Sequence, residues 1–118
     1  MTLTLIIFVL LIHFLADFGL QTHQQATEKS NCPHALLSHT GVYSLVWLFA
    51  SYTQLGNWAL AFAFAFITFI AHTLTDLATS NIGKPFWEKK DPHNGFVVVG
   101  FDQVLHYIQL FLTFQLFL

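Results

Sequence analysis

Between Lys29 and Lys84 the chain carries a single formal charge, Asp76. It stands inside an apolar run, Ala59 to Ala78, of the length that crosses a bilayer. A carboxylate at such a position costs on the order of 3 kcal/mol on insertion scales, so it marks a functional site and has to be turned toward partners inside a bundle. Its first partner is four residues away. In His72-Thr73-Leu74-Thr75-Asp76 the imidazole and the carboxylate fall on one helical face. The same pattern occurs in His13-Phe14-Leu15-Ala16-Asp17 and, reversed, in Asp102-Gln103-Val104-Leu105-His106.

Composition decides the environment of these pairs. The chain has 118 residues, is 55% hydrophobic and only 8% charged, and contains 14 Phe and no Arg. Soluble domains carry about 25% charged residues. The reading is an integral membrane protein of one domain, residues 1–118. That length holds about four spans of about 20 residues each. A net charge of −2 without a basic patch excludes a nucleic-acid partner. The single Cys32 excludes an intrachain disulfide and leaves pairing between chains or metal ligation open. The first apolar run lacks a positive leader and a small-x-small cleavage pattern, and it holds His13 and Asp17, so it is expected to be a retained span.

The expected fold class is all-α, a bundle of four transmembrane helices covering about Leu3 to Leu20, Ala35 to Thr53, Trp58 to Ala78 and Phe96 to Leu118. Ala and Phe alternate from Ala59 to Phe66, a strand-like period, but a lone strand cannot satisfy its backbone in lipid, and a helix is expected. Polar loops are expected at Gln21 to Pro33 and Thr79 to Gly95, and a short uncharged turn at Gln54 to Asn57. With direction put on the spans, the ends of the first and third and the starts of the second and fourth share one side. Every intramembrane His and Asp then falls in one half of the bilayer. All four Lys lie in the two loops on that side. The positive-inside rule places that side, with the polar cluster, in the cytoplasm of a bacterial inner-membrane protein. The repeated H-x-L-x-D of the first and third spans suggests two helical hairpins related as a parallel repeat.

Seven residues are thus expected to converge: His13, Asp17, His39, His72, Asp76, Asp102 and His106. Carboxylates and imidazoles projecting inward from facing helices are the donor set of dimetal bundles. They suit one or two divalent transition-metal ions, with zinc favoured and iron or manganese as alternatives. His13, His39, His72 and His106 are the leading ligands. Asp17, Asp76 and Asp102 are metal ligands and also the candidate catalytic groups, as bridges, His-orienting groups or base. Gln21, Lys84 and Gln103 border the cluster and are assigned to substrate, Lys84 through an anionic head group. Three functions use these residues. The first is a metal-dependent hydrolase of a lipid or other amphiphile, working alone or as a homo-oligomer. The second is a metal or proton transport protein. The third is a non-enzymatic membrane effector in which the cluster is a hydrogen-bond network between helices. The opposite halves of the spans offer only Thr4, Thr68, Thr113 and Gln115 beyond apolar side chains, which favours a one-sided site over a through-path.

The segment His13-Phe14-Leu15-Ala16-Asp17-Phe18-Gly19-Leu20-Gln21, with Lys29, His39, the His72 and Asp76 pair, and Phe101-Asp102-Gln103-Val104-Leu105-His106, resembles a small bacterial and phage membrane-protein family known as a domain of unknown function. The signatures are H-x-x-x-D-F-x-L-Q and D-Q-x-x-H, and the resemblance covers nearly the whole chain. It implies a multi-pass topology and the same choice of residues, and no activity. The chain is also loosely similar to membrane-bound metal-dependent hydrolases, which carry His and Asp motifs at span ends.

Overall fold

The computed structural model describes all residues, Met1–Leu118. It is all-helical, with five α-helices and no strand. Helix α1 (Leu3–Phe14) starts at Thr2, whose side chain accepts from the Leu5 amide, and runs directly into a π-helical turn, Leu15–Gly19. Helix α2 (His23–Glu28) is a single short piece opened by a Thr22/Gln25 capping box. Helix α3 (Pro33–Leu55) begins with Pro at its first position and ends at Gly56, whose φ of 65° is the left-handed conformation that glycine adopts freely. Asn57 then caps α4 (Trp58–Glu88) by accepting from the Leu60 amide. Helix α5 (Pro92–Phe117) is opened by Asp91, which accepts from the Asn94 amide.

Two of the expected loops are corrected. Most of Thr79 to Gly95 is helix: α4 continues ten residues past Ala78 to Glu88, and α5 already starts at Pro92. Polarity suggested a loop there, but the polar groups have partners on α5 or line a cavity. The Thr79 hydroxyl donates to Asp102, and a Cβ added at Gly83 would touch Val98 at 3.4 Å. The connection shrinks to Lys89–Asp91, with Lys90 in the left-handed region at φ 56°. It is kept tight by Gly95, where a Cβ would meet the Trp87 ring at 2.7 Å. The second correction is α2, which interrupts the polar stretch from Gln21 to Pro33. The two hairpins therefore differ in their connections, one carrying a short helix and the other a three-residue turn.

At about 1.5 Å per residue, α4 is about 46 Å long, and it sets the longest dimension of the molecule, 47 Å. It packs along both α3 and α5, with α1 laid against α3 and α5. Helices α4 and α5 are long and apolar enough to cross a membrane, while Leu3–Gly19 is apolar but shorter. The buried set is divided almost evenly, twelve apolar and thirteen polar or charged residues, whereas Leu3, Leu11, Phe62, Phe66, Leu74 and Leu116 are all about 60–70% exposed. The apolar core lies at one end of the bundle, around Val9, Trp47, Phe64, Leu110 and Phe114. The His and Asp residues fill the other half.

Candidate metal centre

Each of the seven residues is buried, none more than 8% exposed. They come from four directions: His13 and Asp17 from the end of α1, His39 from the second turn of α3, His72 and Asp76 from the middle of α4, and Asp102 and His106 from α5. Asp17 sits in the π-turn, closed by the Leu20 amide on the Leu15 carbonyl at 2.9 Å. Such a widened turn is a recurrent feature of functional sites. Here it lies where α1 gives up an acidic side chain to the interior.

Four donor atoms form a compact set: Asp17 Oδ1, His39 Nε2, His72 Nε2 and Asp76 Oδ2. His39 Nε2 lies 3.0 Å from Asp17 Oδ1, 3.3 Å from Asp76 Oδ2 and 3.3 Å from His72 Nε2. His72 Nε2 lies 3.4 Å from Asp17 Oδ1 and 3.5 Å from Asp76 Oδ2. These are five of the six edges of a tetrahedron. Ligand atoms about 2.0–2.1 Å from a tetrahedral zinc ion are about 3.3 Å apart, which is the spacing found. The two imidazole nitrogens lie within hydrogen-bonding distance of each other and both face the same two carboxylates, a donor set able to hold a metal ion.

A second group, Asp17, Asp102 and His106, adjoins the first and shares Asp17 with it. His106 Nε2 is 3.1 Å from Asp102 Oδ2 and 3.0 Å from Asp76 Oδ1. Asp17 and Asp76 thus turn one oxygen toward the first group and the other toward its neighbour, the disposition of bridging carboxylates. Gln103 links the carboxylates of Asp17 and Asp102: its Nε2 donates to Asp17 Oδ2 at 3.1 Å and to Asp102 Oδ2, the oxygen that also faces His106, at 3.0 Å.

His13 stands outside both groups. Its Nε2 is 2.6 Å from Gln103 Oε1 and 3.5 Å from Asp17 Oδ2, and its Nδ1 is 2.7 Å from the Tyr43 hydroxyl. With both ring nitrogens engaged, it positions Gln103 and Asp17 instead of offering a free donor to the same point. Gln103, assigned to substrate from the sequence, is built into the centre as well as facing the cavity above it. Gln21 and Lys84 do line that cavity. The exposed His23, His34 and His93 join neither group, and neither does Cys32, which caps α3.

Three residues that spacing did not single out complete the surroundings. Tyr43 stacks on His72, ring centroids 3.7 Å apart and 10° from parallel, and holds His13 through its hydroxyl. It is one turn beyond His39 on the same helix face, a relation readable from the sequence. Thr79 anchors Asp102 from one turn beyond Thr75, inside a helix that polarity had ended too early. Lys29 reaches down from the α2–α3 connection to place its Nζ 3.1 Å from Asp76 Oδ2 and 3.3 Å from Gln21 Oε1. No local pattern signals that long-range contact.

Among protein families, one matches residues 5–118, described as "Protein of unknown function (DUF3307)". The chain belongs to DUF3307. The match takes in every residue of the centre from His13 to His106, so the arrangement lies within the family's domain. No curated protein matches the chain, and no solved structure does. The DUF3307 description carries no activity, and the looser similarity to membrane-bound hydrolases has no counterpart in these matches.

Proposed function

We propose that this DUF3307 protein is a four-span membrane protein whose His/Asp centre holds one or two divalent ions of the zinc type and hydrolyses a lipid or amphiphilic substrate. The observation that carries the metal is the tetrahedral spacing of Asp17 Oδ1, His39 Nε2, His72 Nε2 and Asp76 Oδ2. Charge supports it. Three buried carboxylates share this low-dielectric interior with one ammonium, Lys29, and four imidazoles, and a bound cation would offset the carboxylates while the imidazoles stay neutral. Asp17 belongs to both groups and would be shared if two ions were bound. The second layer is in place: His13, Gln103, Tyr43 and Thr79 hold the carboxylates and rings that face the ions.

An ion held here lowers the pKa of a water toward about 7 and polarises a scissile group. The residues supply the rest. Asp102 lines the cavity and stands at its floor with Asp17 and Gln103. It is the carboxylate best placed to take a proton from water arriving through that cavity. Hydrolysis is favoured over transport because Val9, Trp47, Phe64, Leu110 and Phe114, all fully buried, pack beneath the centre and leave it open on one side only.

Multi-pass insertion rests on the outward apolar surface of all the long helices. A cytoplasmic orientation of the centre rests on the four Lys at this end of the bundle, Lys84 near the end of α4 and Lys29, Lys89 and Lys90 at the connections. Metal analysis of the detergent-purified protein tests the reading. Zinc should co-purify with wild type and be absent from His72→Ala and Asp76→Ala. A metal-free wild type, or variants with unchanged metal content, would remove it.

A further inference from the structure

We propose that the cavity over the centre binds a phosphate-ester group between Lys29 and Lys84; this rests on the metal reading and names the substrate class for it. The cavity measures about 510 Å³, within the range of about 300–1,000 Å³ that small-molecule sites occupy. Its floor is Asp17, Asp102 and Gln103. One wall is the α2–α3 connection with Lys29 and Asn31, and the facing wall is the end of α4 with Lys84. Glu88 is the one further acidic residue, exposed at the rim.

The two ammonium groups are held differently. Lys84 Nζ donates to the neutral Asn31 Oδ1 and makes no ion pair, so its charge remains available to a ligand. Lys29 Nζ donates to Gln21 Oε1 at 3.3 Å and is ion-paired with Asp76 Oδ2 at 3.1 Å.

Metal occupancy would make the site positive. Without ions, Lys29 and protonated imidazoles offset the three carboxylates. Two divalent ions outweigh the three carboxylates by one charge, and the two lysines add two more. A neutral ester or amide would leave that excess uncompensated in a membrane interior, whereas a dianionic phosphate ester removes most of it. An ion held by Asp76 Oδ2 would replace the Lys29 ammonium there, and Lys29 also lines the cavity. Lys serves such sites as a point charge for phosphate. The half-exposed Phe18 and the partly buried Val98 and Val99 give the cavity an apolar flank, suited to the glycerol and first methylenes of a lipid.

The test uses the zinc-loaded, detergent-purified full chain, titrated calorimetrically with dihexanoyl phosphatidic acid, glycerol 3-phosphate and dihexanoyl phosphatidylcholine, with zinc content measured for every sample. Phosphatidic acid should bind and phosphatidylcholine should not. Lys84→Gln should weaken phosphatidic acid by about tenfold to hundredfold, the loss of one charge-assisted contact, with zinc content unchanged, and Lys84→Arg should restore binding. Glycerol 3-phosphate binding as tightly as the lipid assigns the site to free phosphate esters; weaker binding assigns it to a lipid head group. Zinc-loaded protein that binds neither phosphate ester, or that binds phosphatidic acid equally well as Lys84→Gln, overturns the cavity assignment and leaves the metal centre standing. Absence of zinc from wild type removes the metal centre, and this proposal falls with it.

Discussion

The same four long helices build two unlike regions. In one half, Trp47, Phe64 and Phe114 interlock, with ring centroids of Phe64 and Phe114 4.4 Å apart and Trp47 within 6.0 Å of both. In the other, four imidazoles and three carboxylates occupy the equivalent interior. The apolar half is held by shape. That amounts to dispersion and close packing of interlocking rings. The polar half is held by directed contacts whose geometry is set atom by atom. The first tolerates change in chemistry as long as volume is kept; the second tolerates little change in either. Stability and function are therefore expected to separate along the length of the bundle.

The largest expected effect is in the polar half. His72→Ala or Asp76→Ala should abolish metal binding, read by elemental analysis. Bound metal should also be lost as pH falls, because imidazole and carboxylate ligands must be deprotonated to bind. If these variants lose stability but the wild type carries no metal, the polar half is a hydrogen-bond network and the contrast collapses into two kinds of packing. Next, Phe114→Ala should lower stability by about 2 kcal/mol, the cost of a cavity of roughly 100 Å³, with metal content unchanged in the folded fraction. Metal lost along with that ring would mean the halves are coupled. Tyr43 is the residue at their border. Tyr43→Phe keeps the stack on His72 and removes the hydroxyl from His13, so it should weaken metal affinity about tenfold, the lower end for a second-layer contact, with little change in melting temperature.

The smaller effects lie outside both regions, at the α4–α5 turn. Lys90→Gly should stabilise the protein by up to about 1 kcal/mol by relieving a left-handed, non-glycine backbone, measured by thermal or denaturant unfolding. Asp91 is smaller still. Its side chain accepts from the Asn94 amides, which holds its pKa below the usual carboxylate value. A lowered folded-state pKa means the cap contributes above the ordinary carboxylate pKa and loses its contribution as pH falls through the lowered one. The wild type should therefore lose slightly more stability on acidification than Asp91→Ser, which caps without titrating.

The site was more legible than the fold around it. His13, Asp17, His72, Asp76, Asp102 and His106 announce themselves because i, i+4 pairing is a local property of any helix, and because a charge in an apolar run has no cheap explanation. His39 followed from the direction of the spans. Lys29 was not legible, since its contact with Asp76 spans 47 positions and depends on the path of the α2–α3 connection. The true end of α4 was not legible either. Thr79, Ser80, Asn81 and Gly83 read as a loop by composition; in the helix, Thr79 bonds Asp102, Gly83 packs on Val98, and Ser80 and Asn81 bond back to the Leu77 carbonyl.

Sequence by itself determined that this chain is helical, that its interior holds charge, and which side chains share a face, because helical spacing and the cost of burying a carboxylate are properties of short segments. Only the tertiary structure decided the grouping. It showed that Asp17, His39, His72 and Asp76 meet at tetrahedral spacing, that Asp17 is shared with Asp102 and His106, and that His13 stands one layer back. The reason is physical. Spacing sets which way a side chain faces, but distances of 3.0–3.4 Å between atoms on different helices depend on helix rotation, the π-turn under Asp17 and rotamers fixed by packing.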